Sequence, residues 1–373
     1  MIPTQVNVSI GAPDSRAWVE VSLAAVVENA RTVARTAGTR LLPIVKANAY
    51  GLGAVAVAGA LEAVEPWGYG VATVEEGAEL RAAGISRPIL VLLPAWPERF
   101  GQYREARLTP VFDHPDALRA WMSDGGAGGG PFHLEIDTGM ARGGVRWDEI
   151  DRVAAATDTP AFEGAFTQLH SSECADDSVT RQLDRYFRAL AQLPRKPVMR
   201  HVANSAAALS DPRCALELVR PGVFLYGGTP GGDIVPGRPV ASIRARVVSV
   251  RRVPAGEPVS YNARWIAPRD ATIATLGIGY ADGVPPTLGP DGHAHVLLGG
   301  TRCPIVGTVT MDLTLVDVGE HAVAPGDVAT LLGEAEGREG GDRITLAEVV
   351  AASGIQPRGI LTGLGPRLPR VYT

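Results

Sequence analysis

Eight short apolar runs, separated by segments of helical period, occupy the chain from residue 41 to about 225. They are LLPIVKA (41–47), GYGVATV (68–74), PILVLLP (88–94), LTPVF (108–112), FHLEIDT (132–138), FEGAFTQL (162–169), PVMRHVA (197–203) and ALELVRPG (215–222). Between them lie stretches such as VEEGAELRAAG and TRQLDRYFRALAQL, whose apolar positions recur at three and four residues, as the inner face of a helix requires. Strand-length runs alternating with helices predict parallel βα units, and eight of them predict a (β/α)8 barrel rather than an open sheet. A first helix, AAVVENARTVARTAG, precedes the runs, with Ser22 as its N-cap and Gly38 as its C-cap.

Beyond residue 240 the texture changes. The runs RARVVSVRRV, ATIATLGIG, AHVLLGG, TRCPIVG, LTLVDVG and DVATLLG are rich in β-branched residues and separated by Gly, Pro and Asp, which predicts a mainly β C-terminal domain. The expected division is a barrel over 14–240 and a β-rich domain over 241–373, with the opening segment 1–13 joining the latter as a strand. Two glycine-rich stretches, 124–131 and 333–341, read as surface turns. Neither opens a helix and no GK[ST] follows, which excludes a phosphate-loop NTPase.

The composition supports a globular enzyme-sized protein: 46% of the 373 residues are hydrophobic and 20% charged, enough to build a core and too apolar for disorder. A net charge of -5 gives no electrostatic footprint for nucleic acid or anionic lipid. Cys174, Cys214 and Cys303 are odd in number and far apart, so neither a disulfide framework nor a CxxC metal site is expected. The N-terminus lacks a basic segment followed by an apolar one, and no apolar run approaches a membrane span. A soluble cytoplasmic protein is expected.

Lysine occurs at Lys46 and Lys196 alone, every other cationic side chain being arginine. A lysine kept against that background is a candidate for chemistry that a permanently protonated guanidinium cannot perform. Lys196, in PRKP, reads as a surface charge. Lys46 ends the first barrel strand, where barrel function collects, and an amine there is suited to an imine with a carbonyl cofactor; a lysine snorkelling at a strand end is the bland alternative. Arg142, His170, Ser205 and Arg220 also fall at strand ends. Ser205, Gly222 and Val223 follow the last two strands, where barrels often hold phosphate. An ordinary ion pair for Arg220 and core packing for His170 and His201 are the competing readings. His293 and His295 share a strand face without a third ligand, so no metal is expected.

Eight ordered motifs extend this picture: KANAYGLG (46–53), DTGMAR (137–142), HVANSAA (201–207), VRPGVFLYG (219–227), SYNARW (260–265), GIGYADG (277–283), TMD (310–312) and LPRVY (368–372). Together they resemble the alanine racemases, over nearly the whole chain. The resemblance implies a pyridoxal 5'-phosphate barrel of fold-type III, a β-rich second domain, and a head-to-tail homodimer whose sites draw on both chains. Lys46 then resembles the lysine that holds the cofactor and later acts as one base, and Tyr261 resembles the opposing base, supplied by the partner subunit. Tyr50, Ser205, Gly222, Val223 and Tyr372 match the phosphate binders, Arg220 the residue facing the pyridine nitrogen, His170 the imidazole beside the ring and His201 its support. Arg142 is similar to the arginine that orients the catalytic tyrosine. Met311, through its backbone N–H, matches a contact to the substrate carboxylate, while Asp312 and Tyr280 line the entrance.

Three positions depart from the family. Where many relatives have a lysine carrying a carbamate, this chain has Glu135, which is expected to supply the same negative charge to Arg142 directly. SSE follows His170 in place of an apolar pair, and TMDL at 310–313 replaces CMDQ. These bear on the substrate more than on the reaction, leaving a racemase of another small amino acid such as serine as an alternative. A fold-type III decarboxylase fits SYNARW and YADG poorly, and a non-catalytic cofactor carrier has no counterpart for the residues after 240.

Overall fold

The computed structural model describes residues 14–123, 129–289, 293–335 and 341–373; the strand expected within 1–13 lies outside them, as do parts of both glycine-rich stretches. The described residues form two compact units. One comprises 26–49 and 54–238, the other 14–25, 50–53 and 239–373.

The first unit is a ring of parallel strands. Tyr69–Val71, Ile89–Pro94, Thr109–Phe112, Phe132–Asp137, Phe162–Phe166 and Met199–His201 pair side by side in that order. Arg40–Leu41 and Leu218–Val219 pair with each other, and backbone bonds join them to the rest: Gly70 N–H donates to Pro43 O and Arg220 N–H to Ala203 O, both at 2.9 Å. Each of the eight apolar runs therefore contributes one strand, and the (β/α)8 barrel is present. Strands covered on both faces carry continuous apolar runs rather than alternation, which is why ILVLLP and its counterparts were legible. Leu42, Leu90, Val111 and Phe166 pack together inside. Val74–Ala82 begins with a capping box between Thr73 and Glu76. Ser178–Gln192 buries Val179, Leu183, Tyr186 and Leu190. At the end of this helix the exposed Lys196 donates to the carbonyls of Leu190, Ala191 and Leu193, a C-terminal cap. Leu23–Ala37 has the foreseen ends: Ser22 Oγ accepts from Ala25 N–H at 3.3 Å, and Gly38 has φ +62°.

The second unit is organised by one long strand, Ala241–Val253, which pairs antiparallel with Ala17–Val21, Ala271–Leu276 and Val328–Glu334. Register shifts at Ile243/Arg244 and Val247/Ser249 let it bend and change partners. Ala17–Val21 also pairs in parallel with Arg370–Tyr372, so both ends of the described chain join this sheet. Two helices, Leu346–Ser353 and Pro357–Thr362, add helical structure to the mainly β domain. The first was signalled by TLAE: Thr345 and Glu348 form its capping box. No helix among the described residues is long and apolar enough to cross a membrane.

Candidate active site

Lys46 opens an unusual turn. Ala47, Asn48, Ala49 and Tyr50 all have φ between 51° and 56°, a left-handed conformation that costs L-residues about 1–2 kcal/mol each and persists only where neighbours enforce it. Glu76 does so: one carboxylate oxygen accepts from Ala47 N–H and the other from Ala72 N–H, both at 2.7 Å. Asn48 Oδ1 accepts from Ala54 N–H at 2.8 Å. Glu76 carries no sequence signal for this role beyond its place in the capping box of the following helix. The turn presents Lys46 half-buried, with no hydrogen-bond or ion-pair partner for Nζ among the described residues. Burial, then the Arg142 charge, pushes its pKa below the ordinary lysine value, favouring the neutral amine that attacks carbonyls.

Arg220 leaves the last strand almost wholly enclosed. Nη1 donates to His201 Nδ1 at 2.9 Å and His201 O at 2.7 Å; Nη2 donates to Thr167 O at 2.9 Å, with Gln168 Oε1 and Val202 O at 3.3 Å. Four of its five N–H groups are thereby used. No buried side-chain N or O among the described residues lacks a partner, so the fifth, on Nε, is the donor left facing solvent. Burial pulls its pKa down to about 10, and Glu135 opposes the fall; the guanidinium stays charged at neutral pH. His201 stacks on Phe166 at 4.9 Å and is held neutral, its pKa driven down by burial and by Arg220.

Ser205 begins the short helix Ser205–Ser210, capped by Asn204. Its Oγ accepts from Gly222 N–H at 2.9 Å and lies 3.5 Å from Phe224 N, which gathers a hydroxyl and two backbone donors after the last two strands. Val223 starts the following turn. Glu135 and Arg142 lie 4.0 Å apart, a loose pairing with the carboxylate buried and the guanidinium mostly exposed. Burial raises the Glu135 pKa, and Arg142 counters it. The loop between them is set by Asp137 Oδ1, which accepts from Gly139 and Ala141 N–H. His170 is exposed; its Nδ1 lies 2.6 Å from Ser171 Oγ, and its backbone N–H donates to Gln182 Oε1.

The remaining candidates belong to the β unit. Tyr261 sits in a strained turn, with positive φ at Ser260, Asn262 and Ala263, pinned by Ser260 Oγ to Thr308 O and Thr308 Oγ1 to Tyr261 O. Its side chain is 69% exposed. Met311 and Tyr280 are also exposed, and their loops are tied by Tyr280 N–H to Thr310 O and Ala281 N–H to Met311 O. Asp312 pairs with Arg367 at 2.8 Å. Tyr372 packs directly on Gly53, where a Cβ would fall 1.9 Å from the phenol oxygen and φ is +101°; only glycine fits. Arg370 donates to Gly51 O, so residues 50–53, Tyr50 included, are fastened to the C-terminal strand. The three cysteines are free, and no cluster of His, Cys, Asp and Glu among the described residues is arranged to hold a metal.

An available, partner-free amine at the mouth of a (β/α)8 barrel, a spare guanidinium donor and a hydroxyl-and-amide cradle suit a carbonyl cofactor bearing a ring nitrogen and a phosphate. The class so defined is the pyridoxal-phosphate barrel enzymes. Residues 21–230 match the N-terminal domain of alanine racemase and residues 240–372 its C-terminal domain. An alanine racemase of Symbiobacterium thermophilum is 39% identical, with 95% of this chain and 96% of that protein aligned. The crystal structure of alanine racemase from Bartonella henselae with covalently bound pyridoxal phosphate superposes with TM-score 0.86 at 30% identity, covering 96% of this chain and all of that one. A histidine racemase of Leuconostoc mesenteroides does so with TM-score 0.86 at 26% identity, covering 97% of this chain and 99% of that one. The chain belongs to the alanine racemase family, and its cofactor is pyridoxal 5'-phosphate.

Proposed function

We propose that the chain interconverts L- and D-alanine as a cytoplasmic homodimer, using Lys46 and Tyr261 of the partner subunit as bases on opposite faces of the substrate. Racemisation requires the α-proton to leave from one side and a proton to return on the other, so two oppositely placed bases suffice. The cofactor, when bound, supplies the electron sink that makes the α-proton removable. Lys46 provides the attachment point and, as a neutral amine, one base. A phenol needs a nearby cation to serve as the other, and Arg142, steadied by Glu135, is the cation assigned to Tyr261. Arg220 can only donate, so it leaves the pyridine nitrogen unprotonated and restrains charge delocalisation that would feed side reactions. Ser205, Gly222 and Val223 hold the phosphate, with Tyr50 and Tyr372; His170 flanks the ring, Met311 N–H meets the substrate carboxylate, and Tyr280 and Asp312 shape the entrance.

The observation that carries this reading is the half-buried, unpaired Lys46 with its lowered pKa, in a chain 39% identical to an alanine racemase along nearly its full length. The dimer reading is supported by the exposure of Tyr261, Ile266, Met311 and Leu313 on the β unit, apolar side chains that a partner subunit would cover. The histidine racemase neighbour favours a second reading, in which the same bases act on another side chain. Chiral analysis of all twenty amino acids after incubation with protein and cofactor decides between them. Alanine should be racemised fastest; a faster reaction with another amino acid selects the second reading, and decarboxylation without racemisation defeats both.

A further inference from the structure

The hydrogen bonds behind Arg220 do not stop at His201. His201 Nε2 lies 2.8 Å from His133 Nδ1, and His133 Nε2 lies 3.3 Å from Glu163 Oε2. Both imidazoles are completely buried, whereas the Glu163 side chain is 29% exposed. The strands Phe132–Asp137 and Phe162–Phe166 carry His133 and Glu163 near their beginnings, so the chain of contacts runs from the entering ends of the barrel strands to Arg220 at their exits. Gly164 makes room for it: a Cβ there would fall 2.3 Å from the His133 ring.

The two ends dictate the direction of every bond. Arginine only donates, so His201 Nδ1 accepts and the His201 proton resides on Nε2. That N–H must donate to His133 Nδ1, which leaves the His133 proton on Nε2, pointing at a carboxylate that only accepts. Every buried polar atom is then satisfied in one arrangement. Reversing it would set an N–H of His201 against an N–H of Arg220 and force the guanidinium to turn.

We propose that Glu163 is a positioning residue: as the terminal acceptor of the Glu163–His133–His201 chain, it fixes both tautomers and so holds Arg220 with Nε as its spare donor toward the cofactor. The proposal rests on the cofactor-binding reading of Arg220. Its logic is that of a buried carboxylate that selects the working tautomer of a histidine in an active site.

The test uses full-length holoenzyme labelled with ¹⁵N-histidine, comparing wild type with Glu163→Gln, Glu163→Ala and Glu163→Lys. Imidazole ¹⁵N shifts report the tautomers whether or not the enzyme turns over. Wild type should show His133 and His201 neutral and protonated on Nε2. Gln, which can still accept through Oε1, should keep that pattern and a kcat within roughly twofold. Lys, which places a donor at the end of the chain, should move both protons to Nδ1 and lower kcat by roughly tenfold or more, with the cofactor still attached to Lys46. Ala removes the terminal acceptor and leaves Arg220 alone to set the direction, so it should admit a minor population of Nδ1-protonated rings and give an intermediate rate; it serves if the Lys variant does not fold. Unchanged tautomers in the Lys and Ala variants, or equal losses of kcat with Gln and Lys, would overturn the proposal. The predicted tautomers in an enzyme that racemises nothing would leave the chain standing and reject the proposed function instead.

Discussion

The barrel mouth and the outer loops of the β unit contribute to the same proposed chemistry but are built in opposite ways. At the mouth, Arg220 and His201 are enclosed and bonded to one another, while a strained turn presents Lys46 without a hydrogen-bond or ion-pair partner among the described residues. On the β unit the backbone of the Tyr261 turn is just as firmly tied, yet the side chain stands 69% exposed. One half of the proposed site is assembled within the single chain, and the other is a tied backbone that leaves its phenol exposed. That contrast is what a site completed by a second copy would leave in one protomer.

The sharpest way to break this contrast is to separate the two halves genetically. Lys46→Ala and Tyr261→Phe should each lower racemisation by roughly 10²- to 10⁴-fold, the usual contribution of a general base. When the two variants are mixed and allowed to exchange subunits, activity should return toward about a quarter of wild type, because half the dimers are mixed and each contains one intact pair. No recovery would mean that Lys46 and Tyr261 of one chain serve the same site. In deuterated water the Tyr261→Phe enzyme should also exchange the α-proton of one alanine enantiomer more slowly than that of the other, and equal rates would remove the two-base assignment.

A smaller effect is expected from Glu135→Gln. With Arg142 mostly exposed and 4.0 Å away, their coupling falls in the range of exposed pairs, about 0.2–1 kcal/mol, so kcat should fall roughly 1.4- to fivefold and be insensitive to added carbon dioxide. An unchanged rate would remove Glu135 from the site.

The smallest effect concerns the platform itself. Asp282 is fully buried beneath the YADG turn. Burial opposes its charge, but bonds from Arg16, Arg367 and Gly279 N–H outweigh that and hold its pKa below the ordinary value. A lowered folded pKa gives stability that is present above the unfolded value of about 3.9 and is lost as pH falls through the folded one. Urea midpoints should therefore drop between pH 5 and pH 3 more steeply for wild type than for Asp282→Asn; parallel slopes would show that Asp282 contributes nothing to the acid sensitivity.

What the sequence disclosed follows from the length scale of each signal. The eight barrel strands were readable because burial on both faces demands uninterrupted apolar runs, and Lys46 stood out because the chain otherwise uses arginine. His133 and Glu163 were not readable: a histidine inside FHLEID and a glutamate inside FEGAF look like isolated polar residues until two neighbouring strands bring them together. The left-handed turn after Lys46 was equally hidden, since Ala47 and Ala49 have no intrinsic preference for positive φ and are held there by Glu76, some thirty positions onward. The helix Leu346–Ser353 was announced by its capping box but masked by the β-rich texture around it.

The proposed chemistry requires the cofactor on Lys46, and the chain offers only two lysines for the attachment. Borohydride reduction of the protein incubated with pyridoxal 5'-phosphate, followed by peptide mapping, should place a single phosphopyridoxyl group on the peptide containing Lys46. Label on Lys196 instead, or none at all, would contradict it.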